Sequence, residues 1–171
     1  MAALAQMKTG SPSATSPILL DTSPKAAACI RQCRENDVDV DRLQETLESA
    51  FRRSVPLRSA ASCERWVFLA GDYLGAAVVT STPHGSYLAK LAVKHDAQSR
   101  GLAAGLWRSV IRVHPDLFWR SRADNPVCEW YGRLADGSAQ TGRWTVFWRG
   151  LPSGAIPGAT EYASSLLRDF E

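Results

Sequence analysis

The run Leu117-Phe118-Trp119-Arg120-Ser121-Arg122 is followed within nine residues by Asn125 and Tyr131. Two guanidinium groups, an amide and a phenol beside a strand-like apolar segment are more than a folding core needs, and they suit a site for an anionic substrate. A second segment, Val93-Lys94-His95-Asp96-Ala97-Gln98-Ser99-Arg100-Gly101-Leu102-Ala103, reads as a strand, a small-residue turn and the start of a helix. Such a junction offers backbone N–H groups and the positive end of a helix dipole to a phosphate.

The elements that must position these groups follow from periodicity. Val40, Leu43, Leu47 and Ala50 form one stripe, so residues 41–52 are expected as an amphipathic helix, with Asp41-x-x-Gln44 as its capping box and Arg52 and Arg53 at its end. The apolar runs 66–70 and 74–80, joined by Gly71-Asp72-Tyr73, predict a hairpin, and residues 87–93 predict a third strand after the turn at Pro83 to Ser86. Leu102, Leu106, Val110 and Val113 recur at helical spacing, which gives a helix over 101–113 stopped by Pro115. A strand over 117–119, a short helix opened by Asn125-Pro126 and a strand over 143–149 complete the expected order. Trp107, Trp119, Trp144 and Trp148 are assigned to the core.

Composition sets the outer limits. The 171 residues, 45% of them hydrophobic, are enough for one domain with a core, and the Ala/Ser/Pro/Thr-rich residues 1–25 read as a disordered tail before a domain over 26–171. A net charge of +3, from 20 basic and 17 acidic residues, argues against a dedicated nucleic-acid binder. No apolar run suggests a membrane span or a secretory signal, so a cytoplasmic location is expected. Cys29, Cys33, Cys63 and Cys128 lack paired knuckle spacing, and His84, His95 and His114 lack a ligand pattern, so reduced thiols and no metal are expected.

Gln98-x-x-Gly101-x-Ala103 resembles the acyl-coenzyme A signature of the GNAT acetyltransferases. Taken with Tyr87-Leu88-Ala89-Lys90, Leu117 to Arg122, Asn125-Pro126, Trp130-Tyr131, Asp136-Gly137-Ser138 and Trp144 to Gly150, in that order, the chain resembles the acetyltransferase domain of the vertebrate-like N-acetylglutamate synthases. The resemblance spans roughly residues 27 to 151, and nothing in the chain matches that family's amino-acid kinase domain. It implies an α+β GNAT fold, with a central mixed, mostly antiparallel sheet flanked by helices. It also implies acetyl transfer from acetyl-coenzyme A to the α-amine of L-glutamate or a similar amino acid, with a homodimer or a separate amino-acid kinase chain as partner.

Residue by residue, the resemblance implies Arg53, Lys90, Arg120, Ser121, Arg122 and Asn125 as substrate contacts and Tyr131 as catalyst. Leu91, Ala92, Val93, Gln98, Ser99, Arg100, Gly101, Leu102 and Ala103 would hold the coenzyme. A backbone N–H from 91–93 would polarise the thioester carbonyl, and a water chain would take the ammonium proton. The chain departs from the family at Ala89, where an aspartate is usual, at Cys128, in place of a second asparagine, and at Ser99, in place of a glycine. Two alternatives remain: a GNAT enzyme for another amine, and a non-catalytic module that binds the same ligands.

Overall fold

Alternating apolar runs and one bulge build a seven-stranded sheet. The computed structural model describes residues 30–52, 54 and 64–166. Residues 1–25, Cys29, Arg53 and Cys63 lie outside them, and so do the expectations placed on them. The strands are β1 (Ile30–Arg34), β2 (Arg65–Ala70), β3 (Gly75–Thr82), β4 (Gly85–Val93), β5 (Leu117–Arg122), β6 (Gly137–Thr141) and β7 (Trp144–Arg149). The helices are α1 (Val40–Phe51), α2 (Leu102–Val113), α3 (Val127–Leu134) and α4 (Ile156–Ser165). Their spatial order in the sheet is β1-β2-β3-β4-β5-β7-β6. Every strand pair is antiparallel except β4 with β5.

The β4–β5 contact is short. Its register holds for Ser86↔Leu117 and Tyr87↔Phe118 and goes no further, so the two strands part beyond Tyr87 and leave a gap in the middle of the sheet. On its other side β4 pairs with β3 along its whole length, but Val78 faces Lys90 while Val79 faces Leu88. Ala89 is therefore the extra residue of a β-bulge. The bulge shifts the alternation by one, so Leu88 and Leu91, three residues apart, enter the same core cluster.

Strand alternation divides the core into two faces. Phe68, Ala77, Leu88, Leu91, Leu117 and Trp119 pack under α2 and α3. On the opposite face Val67, Leu69, Ala76 and Ala92 pack under α1, and Tyr87, Phe118 and Val146 pack under α4. The alternation places consecutive residues of β5 on opposite faces, a point that decides the geometry of the site. No helix of the described residues is long and apolar enough to cross a membrane.

Several elements depart from the sequence expectation. β1, β6 and α4 are additional, and β5 continues through Arg122, so Arg120, Ser121 and Arg122 are all strand residues. Trp148 is partly exposed, whereas Trp107, Trp119 and Trp144 are buried as assigned. The cap of α1 is also different. Asp39, not Asp41, is the N-cap, and its carboxylate accepts from the Arg42 N–H at 3.1 Å, while the Asp39 N–H donates to the Tyr73 hydroxyl at 3.0 Å. Replacing Asp39 with alanine is expected to remove one N-cap bond, costing about 1 kcal/mol. Thermal unfolding should register this as a fall of about 2–4 °C.

Candidate active site

The gap between β4 and β5 is bordered by backbone as well as side chains. The Lys94 N–H donates to the Leu74 carbonyl at 2.8 Å, on the β3 side. Backbone groups alternate sides along an antiparallel strand, so Ala92 also faces β3, whereas Leu91 and Val93 turn their N–H and C=O groups toward β5 and the gap. The Gln98 side-chain amide lies 3.5 Å from the Val93 carbonyl on that side. Ala92 instead buries its methyl against the α1 cluster.

A tight 3-10 turn, His95–Arg100, leads from β4 to α2. Gly101 closes it at φ +68, a left-handed conformation that favours glycine, and a Cβ at this position would meet no atom within 4 Å. No side chain caps α2, and its first intrahelical bond runs from the Gly105 N–H to the Gly101 carbonyl. The N–H groups of Leu102 and Ala103 thus face outward at the positive end of the helix, beside exposed Ser99 and Arg100. This arrangement can cradle a diphosphate.

Tyr131 stands on α3, on the face that α2 and α3 cover. Its side chain is fully buried among Trp119, Trp130 and Phe147, with ring centroids at 5.6, 5.2 and 5.7 Å. Its hydroxyl has no hydrogen-bond partner, nor has the Trp119 indole N–H on the facing strand. Burial holds the phenol protonated well above its usual range, with smaller pushes from Cys128 and Tyr87 in the same direction. A buried hydroxyl without a partner is costly to the fold. Cys128, one turn earlier, donates to the Arg122 carbonyl at 3.1 Å and lies beside the Ser121 hydroxyl. Burial pushes its thiol up, so it is a neutral thiol at physiological pH and not a nucleophile.

The cations are distributed over the other face. Lys90, 5% exposed, and Arg120, fully buried, both lie beyond the point where β4 and β5 separate, and both face the α1 and α4 side. Arg120 is anchored at the end of α4. Its Nη1 donates to the carbonyls of Ala163 at 2.6 Å and Leu166 at 3.0 Å, at the C-terminal end of α4, and its guanidinium lies 4.1 Å over the Trp144 ring. Arg122 is exposed and makes a bidentate pair with Asp124, Nε to Oδ1 at 2.9 Å and Nη2 to Oδ2 at 2.6 Å. The Asn125 amide oxygen accepts from the Val127 N–H at 3.1 Å and so starts α3.

The structure therefore separates what the sequence presented as one cluster. Lys90 and Arg120 share one face, Ser121 and Tyr131 share the other, Arg122 ends β5, and Asn125 sits in the turn that joins β5 to α3. Three participants were not anticipated from sequence: Trp144 as the platform of Arg120, the α4 carbonyls as its acceptors, and Asp124 as the partner of Arg122. Asp124 was visible two residues after Arg122. The carbonyls carry no sequence signal, because every residue has one. His114 sits at the closed end of the gap, where its Nδ1 meets the Ser86 hydroxyl at 3.0 Å. Among the described residues no group of three or more His, Cys, Asp or Glu could hold a metal ion.

Comparison with known proteins agrees with this geometry. The model of the family "NAT, N-acetyltransferase, of N-acetylglutamate synthase" matches residues 25–167. The mitochondrial N-acetylglutamate synthase of Danio rerio is 37% identical over 67% of this chain and 23% of its own length. The human mitochondrial N-acetylglutamate synthase is 32% identical over 67% of this chain and 22% of its own. An acetylglutamate kinase of Xylella fastidiosa is 34% identical over 71% of this chain and 29% of its own. The chain spans about a quarter of the length of these relatives. Among solved structures, the Escherichia coli ribosomal-protein-S18-alanine N-acetyltransferase aligns with a TM-score of 0.55 at 17% identity, over 72% of this chain and 96% of that one, and this shows the acetyltransferase fold. The sheet with its central gap, the helix N-terminus beside it and the family match over most of the chain converge: this protein belongs to the NAT family, the N-acetyltransferase of N-acetylglutamate synthase.

Proposed function

We propose that the chain transfers the acetyl group of acetyl-coenzyme A to the α-amine of L-glutamate. The observation that carries this reading is the pair of buried cations, Lys90 and Arg120, facing one side of the sheet just past the β4–β5 separation. A dicarboxylic amino acid brings two negative charges, and guanidinium and ammonium groups are the side chains suited to bind carboxylates. The names of the synthase relatives supply the choice of glutamate.

The coenzyme fits the residues present. Its diphosphate would rest on the N–H groups of Leu102 and Ala103, with Gln98, Ser99, Arg100 and Gly101 shaping the turn. When bound, it supplies an activated thioester carbonyl. The Leu91 and Val93 N–H groups, turned to the gap, are the donors available to polarise that carbonyl, with Ala92 spacing them. The Tyr131 phenol, held protonated, donates to the leaving sulfur. Lys90 and Arg120 orient the carboxylates, with Arg53, Ser121, Arg122 and Asn125 as further substrate contacts. Arg122 must first exchange Asp124 for the substrate. A water chain takes the ammonium proton. An amino-acid kinase chain is the partner this reading favours.

Coenzyme A release measured across the amino acids tests the reading. Glutamate is expected to give the highest kcat/KM. No turnover with any amino acid, or a clear preference for a monocarboxylic one, overturns it. The position of Cys128 beside Tyr131 favours one second reading, a different acidic or amide amino acid, and the same screen separates the two.

A further inference from the structure

Arg122 ends β5 two residues after Arg120, and the pairing of β5 with β7 is regular there, so strand alternation puts both arginines on one face of the sheet, about 7 Å apart along the strand. Trp144, which stands opposite Arg122 in that register, carries the Arg120 guanidinium at 4.1 Å. The partners of the two arginines differ in kind. Arg120 donates to carbonyl oxygens, whereas Arg122 already holds a carboxylate. The turn after β5 sets that carboxylate in place: the Ala123 N–H donates to the Arg143 carbonyl at 2.9 Å and the Asn125 N–H to the Arg122 carbonyl at 3.0 Å, and Asp124 comes back beside the side chain it follows.

Both Asp124 oxygens are engaged on the Nε–Nη2 edge of the guanidinium, in the two-pronged geometry that arginine offers to any carboxylate. The hydrogen bonds from Arg122, helped by the charges of Arg122 and Arg143, hold the Asp124 carboxyl below its usual range, so it is ionised wherever an amino-acid carboxylate is. The pair is open to water. The Arg122 and Asp124 side chains remain 51% and 67% exposed, and an ion pair in that setting is weak and reopens readily, unlike a buried one. It can be exchanged for another carboxylate.

We infer that Asp124 is a built-in competitor for the substrate carboxylate at Arg122, a positioning residue that sets the affinity for the amino acid. The inference rests on the glutamate reading, in which Arg122 is a substrate contact, and adds to it a residue that acts against binding. A carboxylate tethered two residues away stands at a fixed effective concentration, which the substrate must outcompete before its own contact with Arg122 forms. The consequence is a raised KM with kcat untouched, because the exchange is complete before the acetyl group moves.

Steady-state kinetics of the full chain, Asp124→Asn, Arg122→Ala and the double variant test it, with glutamate varied at saturating acetyl-coenzyme A. Asp124→Asn is expected to lower the KM for glutamate about threefold, the worth of a well-formed exposed ion pair, and to leave kcat unchanged. Arg122→Ala should raise KM, and in that background Asp124→Asn should change nothing, since its target is gone. A higher KM in Asp124→Asn overturns the inference and makes Asp124 the support that orients the guanidinium for a carboxylate on its other edge. An unchanged KM overturns it too, and so does an equal fall in both backgrounds, which would show a general repulsion of anions. If Arg122→Ala leaves KM as it is, the inference falls alone while turnover stands. If the parent does not turn over glutamate at all, the glutamate reading itself falls and takes the inference with it.

Discussion

Tyr131→Phe is expected to lower kcat by about 100-fold or more, with the KM for both substrates changed by less than a factor of about three. The reasons lie in the environment of the phenol. Its hydroxyl is fully buried and has no partner among the described residues, so its removal breaks no hydrogen bond of the fold. Burial keeps it protonated across the whole range in which the enzyme could be assayed, so the acid is always loaded. The ring makes its aromatic contacts with Trp119, Trp130 and Phe147 equally well as phenylalanine. The same substitution should raise stability by about 1 kcal/mol, because it deletes a buried, unsatisfied hydroxyl. Activity and stability would then move in opposite directions. Steady-state kinetics beside a urea unfolding curve would show it, and a variant that lost stability along with activity would make Tyr131 a structural residue.

Arg120→Ala is expected to do the reverse, damaging the fold as well as the site. The guanidinium holds two carbonyls at the end of α4 and covers the Trp144 ring. Its loss leaves those carbonyls without their charged donor and opens a void in a fully buried position. Together these should cost roughly 3 kcal/mol, equivalent to a fall of about 6–12 °C in Tm. At a temperature where the variant remains folded, the KM for glutamate should rise by at least about tenfold while kcat changes less. The two readouts separate the two roles of the residue. A lower Tm with an unchanged KM would confine Arg120 to anchoring α4 and leave carboxylate recognition to Lys90 and its neighbours.

These two residues also show what the sequence could and could not reveal. The order of motifs was enough to place α1, α2, β2 to β5 and β7, because each has a strong period or a run of β-branched and aromatic residues. β6 was not visible, since Gly137-Ser-Ala-Gln-Thr has neither, and its place is set by pairing with β7. α4 was hidden by Pro157 and Gly158 at its start and by its small side chains, Ala159, Ala163, Ser164 and Ser165, which pack closely without an apolar stripe. The residue types of the site were legible, but their distribution was not. Arg120 and Ser121 are adjacent in sequence and opposite in space, because a strand alternates its faces. The cap of α1 was misplaced by two residues, since Asp39 and Asp41 are both acceptable caps and only the backbone decides between them.

The two-pair contact between β4 and β5 bears on how the chain folds. β1 to β4 are joined in order by antiparallel pairing, and so are β5, β7 and β6. The seam between the two sets is the one parallel contact, reached through the crossover helix α2 and held by two residue pairs. The hairpins β3–β4 and β6–β7 close over far shorter stretches of chain and are entropically favoured to form before it. The candidate cleft lies along that seam, so it is bordered by strands of both sets and exists in neither alone.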